Sequence, residues 1–220
     1  VLYSTYIPQV QDLLNDPLAQ MWSQASLANY INEARNRVAQ ETKALRQVVT
    51  TAAYPTLLWV AGQELYPYAT TLPTPFNTSI IDTMSLSCIV NNERYVMKNW
   101  AYTQLTAFLR GWVNYLDWPV AWARMGANQI YIAPVPNQNY GVEWDMSIVP
   151  QPLVLDTDLE PIPAPFQEPV QYYAAYKAKL KLQAQGEAKY FFDLYQEILR
   201  RCSKAWNTRM VQNPYASVPR

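Results

Sequence analysis

The sequence predicts an α+β protein: a helical bundle with a small antiparallel β region inserted into it and an extended C-terminal arm. Three observations carry that prediction. Two adjoining helix-period segments lie near the C-terminus, another lies near the N-terminus, and the middle third is rich in short β-branched and aromatic runs broken by turn residues.

The C-terminal segments are the clearest. From Glu187 to Trp206 the apolar residues Ala188, Phe191, Phe192, Tyr195, Ile198, Leu199, Cys202, Ala205 and Trp206 recur at steps of three and four, which lines one face of a helix. Phe191, Phe192, Tyr195, Ile198, Leu199 and Trp206 are therefore the expected packing residues. The preceding segment, Val170 to Gln185, contains no Gly or Pro and is apolar nearly all round. Such a helix needs neighbours on more than one side. Gly186 is placed to close the first helix, since glycine takes the left-handed conformation without steric cost, and the pair is predicted to form an αα-hairpin.

At the N-terminus, residues 5–21 predict a short helix with Pro8 in its first turn, stopped by Asn15-Asp-Pro17. A longer helix is expected from a Ser26 cap to about Leu45, with Leu27, Tyr30, Ile31, Ala34 and Val38 on its buried face. Its charges, Arg35 among them, are assigned to a solvated face, with Glu33 and Arg37 at helical i, i+4 spacing.

Beyond Gln47 the texture is extended. Val48 to Thr51, a hairpin of Thr56–Val60 with Leu65–Tyr68, and strands Thr83–Val90 and Tyr95–Lys98 joined by Asn91-Asn92 are predicted in turn. A helix follows over Trp100–Trp112, closed by Gly111. Val120–Arg124 and Gln129–Ala133 then flank the turn signal Gly126-Ala-Asn128, and Gly141–Val149 alternates as a strand does. Pro150 to Pro165 holds five prolines, more than a helix or central strand tolerates, and reads as an extended connector. The expected organisation is a bundle of 1–47, 99–113 and 165–206, a β-rich region with the connector over 48–98 and 114–164, and an arm over 207–220.

Composition narrows the function. Half of the residues are hydrophobic and only 15% are charged, a balance suited to a chain with large interfaces. Residues 1–160 hold eight Lys/Arg against thirteen Asp/Glu, whereas residues 161–220 hold nine against four, so the helical end is basic. There is no His, which removes the usual general base and the Ser/His and Cys/His pairs; no phosphate or dinucleotide loop is present. No catalytic set, metal site or cofactor is predicted. Alternating Asp156, Asp158 and Glu160 are the sole carboxylate cluster, more simply solvated than metal-binding. Cys88 and Cys202 do not form a disulfide framework, and the longest apolar run is too short for a bilayer, so a reduced, non-secreted protein without a membrane span is expected. Trp100, Trp112, Trp118, Trp122, Tyr131 and Trp144 fit core or interface positions; the alternative is a carbohydrate-binding or single-strand-stacking surface. The acidic local balance opposes nucleic-acid readout.

Several strings together resemble the tail adaptor, or head-to-tail connector, proteins of short-tailed bacteriophages, similar to tail tubular protein A. They are Tyr30-Ile-Asn-Glu-Ala-Arg-Asn-Arg-Val-Ala-Gln-Glu-Thr42, Val60-Ala-Gly-Gln-Glu-Leu-Tyr66, Ile148-Val-Pro-Gln-Pro-Leu-Val-Leu-Asp-Thr-Asp-Leu-Glu-Pro-Ile-Pro163, and Tyr172-Tyr-Ala-Ala-Tyr-Lys-Ala-Lys-Leu180 with Gly186-Glu-Ala188 and Tyr195. The resemblance spans roughly residues 25–205. It implies a virion structural protein assembled in the host cytoplasm and placed at the head–tail junction, as a ring usually of twelve copies. Its implied partners are other copies of itself, the portal protein, tail nozzle or tail fibre proteins, and viral DNA passing through the channel without sequence readout. The arm, with Met210, Val211, Pro214 and Tyr215, would insert into the portal. Another phage head-completion or tail assembly protein is the alternative within this class.

Overall fold

A computed structural model of the chain describes residues 2–109 and 115–209. The protein is α+β. In chain order the elements begin with α1 (Tyr3–Leu14), α2 (Gln24–Thr42), β1 (Arg46–Thr50), β2 (Leu58–Trp59) and β3 (Leu65–Pro67). The single turns α3 (Tyr68–Thr71) and α4 (Phe76–Ser79) precede β4 (Ile80–Val90), β5 (Glu93–Val96), β6 (Lys98–Asn99) and α5 (Tyr102–Leu109). Then come β7 (Leu116–Asp117), β8 (Ala121–Met125), β9 (Gln129–Ala133), β10 (Val135–Pro136), β11 (Tyr140–Ile148), α6 (Glu168–Lys181) and α7 (Gln185–Arg209). They divide into two compact units, residues 1–45 with 150–220, and residues 46–149.

The first unit is built around α6. It packs on α1, α2 and α7, which meets the expectation that a helix apolar on nearly every side is surrounded. Ala174, Ala175 and Ala178 are fully buried; small side chains at these positions let the neighbouring helices come close. Tyr3, Tyr6, Val10 and Leu14 supply the face of α1, and Leu27, Ile31, Ala34 and Val38 that of α2.

Helix boundaries differ from the sequence expectation, for local reasons. Helix α1 starts a turn early because Tyr3 is already part of the buried stripe, leaving Pro8 inside the helix rather than in its first turn. Asn15, in the left-handed conformation, ends it. The Asp16 carboxylate then accepts from the backbone N–H groups of Gln20, Met21 and Trp22 at 2.9, 2.9 and 3.0 Å, which fixes the turn into α2. Helix α2 is capped by Ser23, not Ser26: the Ser23 side chain accepts from the Ser26 N–H. It stops at Thr42 because Lys43 turns left-handed. Glu33 does not pair with Arg37; it reaches Lys177 on α6 at 2.7 Å, and Arg37 pairs with Glu41. The α6–α7 hairpin forms, but Gln183 takes the positive φ (+58°) and Gly186 lies within the first turn of α7.

Among the described residues the second unit has two larger sheets and a separate two-stranded pair where one sheet was expected. One runs β1-β11-β4-β5 with β2 also on β11, and the other runs β3-β9-β8-β6; β7 and β10 pair separately. Inward residues of both sheets, including Trp59, Tyr66, Leu86, Trp122, Ile132, Val142 and Trp144, form a single cluster. The predicted hairpin of 56–60 with 65–68 is not formed: β2 pairs with β11 and β3 with β9. Trp59 and Tyr66 are both buried, edge to face at 4.8 Å, and Tyr66 Oη accepts from the Val60 N–H, so the two strands diverge onto different sheets around one aromatic contact. The β4–β5 and β8–β9 hairpins form as expected, with Asn91, Asn92 and Gly126 at positive φ. In β11 a register shift after Asp145 places Trp144, Asp145, Met146 and Ser147 all in buried positions, so strict alternation is lost there.

Two assignments to domains change. Helix α5 lies in the second unit, where buried Leu105 packs with Ala121, Ala123 and Ala133 of β8 and β9, so the described part of 99–113, residues 99–109, does not join the bundle. Residues 110–114, with Gly111 and Trp112, lie outside the described residues. The Pro-rich connector belongs to the helical unit: Leu153, Ile162 and Phe166 are in its core. Among the described residues, no helix is long and apolar enough to cross a membrane.

Candidate interaction surface of the helical unit

Arg35 organises the connector. It stands on the apolar face of α2, four residues after Ile31, and is completely buried. Its Nε and Nη2 donate to Glu160 Oε2 and Oε1 at 2.7 and 3.1 Å, a two-point carboxylate contact, while Nη1 donates to Asn32 Oδ1 at 2.8 Å and to the Gln151 carbonyl at 2.9 Å. Glu160 Oε1 also accepts from the Ile162 N–H at 3.0 Å. Burial, and next the Glu160 charge beside it, push the Tyr6 phenol well above its ordinary value, so that ring stays neutral against the pair.

Asn32 completes the attachment by imitating a strand. Its Nδ2 donates to the Leu153 carbonyl at 3.1 Å and its Oδ1 accepts from the Leu153 N–H at 2.9 Å. On the other side, Leu2 bridges Leu159 and the Tyr3 N–H donates to the Asp158 carbonyl at 3.0 Å. The Asp158 carboxylate accepts from the N–H groups of Val154 and Leu155 at 2.8 and 2.9 Å. Those two donors hold its carboxyl below the usual carboxylate range.

The segment 153–160 is thus a knuckle pinned from both sides, and it displays aliphatic side chains. Val154, Leu155 and Leu159 are 75%, 63% and 74% exposed, with Leu2 beside them. A rigid backbone that holds neighbouring aliphatic groups in water has the character of a protein-binding surface. A second apolar feature lies at the far end of α1. There Leu13, Leu14, Tyr190 and Phe191 line a shallow cavity of about 510 Å³ at the tip of the α6–α7 hairpin, bordered by the Lys179–Glu187 ion pair at 2.6 Å.

The model of the SU10 adaptor protein family matches residues 2–217, which spans both units. The chain belongs to the SU10 adaptor protein family. This makes it a bacteriophage structural protein of the adaptor type. No curated protein sequence matches it.

Phe191, Tyr195 and Ile198 are buried and Phe192 and Leu199 half-buried, all in the helical unit; the Tyr195 hydroxyl donates to Glu41 at 2.8 Å. Of Trp206 only the helical backbone is described, and Met210, Val211, Pro214 and Tyr215 lie outside the described residues. Asp158 and Glu160 are engaged in holding the connector, and no group of three or more His, Cys, Asp or Glu among the described residues is placed to hold a metal ion. Trp122 and Trp144 are core residues rather than a stacking surface for a sugar or base.

Sequence reasoning missed the Arg35–Glu160 pair by assigning Arg35 to solvent. The signal was its spacing, since Leu27, Ile31 and Arg35 succeed one another at intervals of four on a single face. Both cysteines are free thiols: Cys202 donates to the Pro165 carbonyl at 2.8 Å, whereas Cys88 lies in the core of the second unit. Burial pushes the Cys88 thiol up to about 12. It is therefore expected to resist iodoacetamide at pH 8 in the folded protein and to react once urea unfolds it. Stoichiometric native labelling of a Cys202→Ser variant would contradict that placement.

Proposed function

We propose that this adaptor forms a ring that joins the portal of the head to the tail of a short-tailed phage and lines the channel through which DNA leaves. The observation that carries this reading is the adaptor family match across both compact units. The pinned aliphatic knuckle supports it, because a protein that works by contact needs apolar groups held in fixed positions rather than a catalytic set. DNA would pass without sequence readout, and the protein acts without catalysis. It is assembled in the host cytoplasm and remains in the virion at the head–tail junction. In this reading the ring has twelve copies, with nozzle or fibre proteins below, as the resemblance to tail tubular protein A-like adaptors implies. In this reading residues 207–220 are the arm that binds the portal, through Met210, Val211, Pro214 and Tyr215.

The test is native mass of the protein alone and after mixing with its cognate portal protein. The full chain is expected to give a many-copy complex with the portal. A chain ending at Trp206 is expected to keep its circular dichroism and lose that complex. A full chain that remains apart from the portal under all assembly conditions contradicts the adaptor role; a truncated chain that still binds contradicts the arm.

A further inference from the structure

We propose that the knuckle of one copy seats on the α6–α7 tip of the next, so that the two apolar features of the helical unit are the two halves of one contact between copies. The inference rests on the ring reading above and gives it a surface.

Three observations support a second copy as the occupant. The features stand at opposite ends of one helix: Leu2 immediately precedes α1 and is bridged to Leu159, while Leu13 and Leu14 close α1 and line the cavity. Twelve helical residues at about 1.5 Å each separate them by roughly 18 Å, too far for the two to cover one another within a chain. Both are apolar and exposed, with Val154, Leu155 and Leu159 on the knuckle and Leu180, Leu182 and Tyr190 at the tip.

Charge makes the two halves complementary. On the knuckle Glu160 is neutralised by Arg35, which leaves the carboxylates of Asp156 and Asp158. At the tip Lys177 is paired with Glu33 and Lys179 with Glu187. The remaining cations there, Lys181 and Lys189, are exposed and make no ion pair among the described residues. An acidic aliphatic knuckle and a basic aliphatic-aromatic tip attract each other and repel their own kind, which selects the head-to-tail arrangement over a two-fold one. Contacts of that kind repeat, and close into a ring when the rotation between copies allows.

Two pools of full-length protein test this, Leu155→Cys with Cys202→Ser, and Leu182→Cys with Cys202→Ser. Both changed leucines are exposed, and buried Cys88 is silent. After mixing with portal protein and mild oxidation, a disulfide-linked dimer containing one chain from each pool is expected, with none in either pool alone. Asp156→Lys should raise the concentration for half-assembly roughly tenfold, and mixing it with Lys181→Asp/Lys189→Asp copies should restore part of that loss. Rings in native mass without the mixed dimer, or a dimer within one pool, overturn the knuckle–tip contact while leaving the ring standing. Failure of the unmodified chain to form any ring overturns both.

Discussion

Arg35→Ala is expected to lower the stability of the helical unit by about 3–5 kcal/mol, because it leaves the Glu160 carboxylate buried without its cation. The variant also frees the Gln151 carbonyl and the Asn32 side-chain oxygen from one donor each. Urea denaturation measures the loss. The double variant Arg35→Met with Glu160→Leu is expected to recover most of it, since a buried ion pair is often no more stabilising than apolar side chains of similar volume. Recovery of stability need not restore the knuckle. Gln151 and Ile162 remain without the partners that hold the connector, so amide exchange in 151–162 should stay faster than in the unaltered protein. A loss under about 1 kcal/mol in the single variant would show that the pair does not pin the segment.

Trp144→Ala should cost about 3–5 kcal/mol, this time in the second unit. The indole is fully buried, 5.9 Å from Trp59 and 5.8 Å from Tyr68 between ring centres, and its N–H donates to Thr83 Oγ1 at 3.1 Å. Alanine leaves a cavity where both sheets contribute side chains to one cluster. Trp144→Phe keeps most of the volume and loses the hydrogen bond. Because Thr83 retains its contact with the Tyr68 hydroxyl at 3.3 Å, that change should cost only about 1–2 kcal/mol beyond the smaller ring's packing. Hydrogen exchange should show β4 and β11 losing protection in Trp144→Ala while α2 and α6 keep theirs, since the two units have separate cores. Equal loss in both would mean that they unfold as one.

The helices were legible wherever the apolar period was long. The stripe Phe191–Tyr195–Ile198 and the surrounded character of α6 are properties of spacing, and spacing survives folding unchanged. Ends of helices were less legible. Ser23 and Ser26 are both good caps, and the choice between them depends on where Leu27 and Ile31 must lie to meet α6, a condition set outside the local sequence. The knuckle was hidden for a related reason. Asp156, Asp158 and Glu160 look alike in the chain, yet one is exposed, one caps two backbone N–H groups and one is buried against Arg35.

By itself the sequence determined the α+β class, the helical hairpin, the β4–β5 and β8–β9 hairpins and a character without a histidine-based catalytic set, since each depends on residue type and near-neighbour spacing. Only the tertiary structure decided that β2 and β3 part onto different sheets, that α5 packs on β8 and β9, and that the connector returns to the helical unit. These depend on contacts between residues far apart in the chain: Arg35 with Glu160, Tyr140 with Trp59, and Leu105 with Ala133. Local spacing sets which face of an element is apolar, and the shared burial of distant faces sets what it meets.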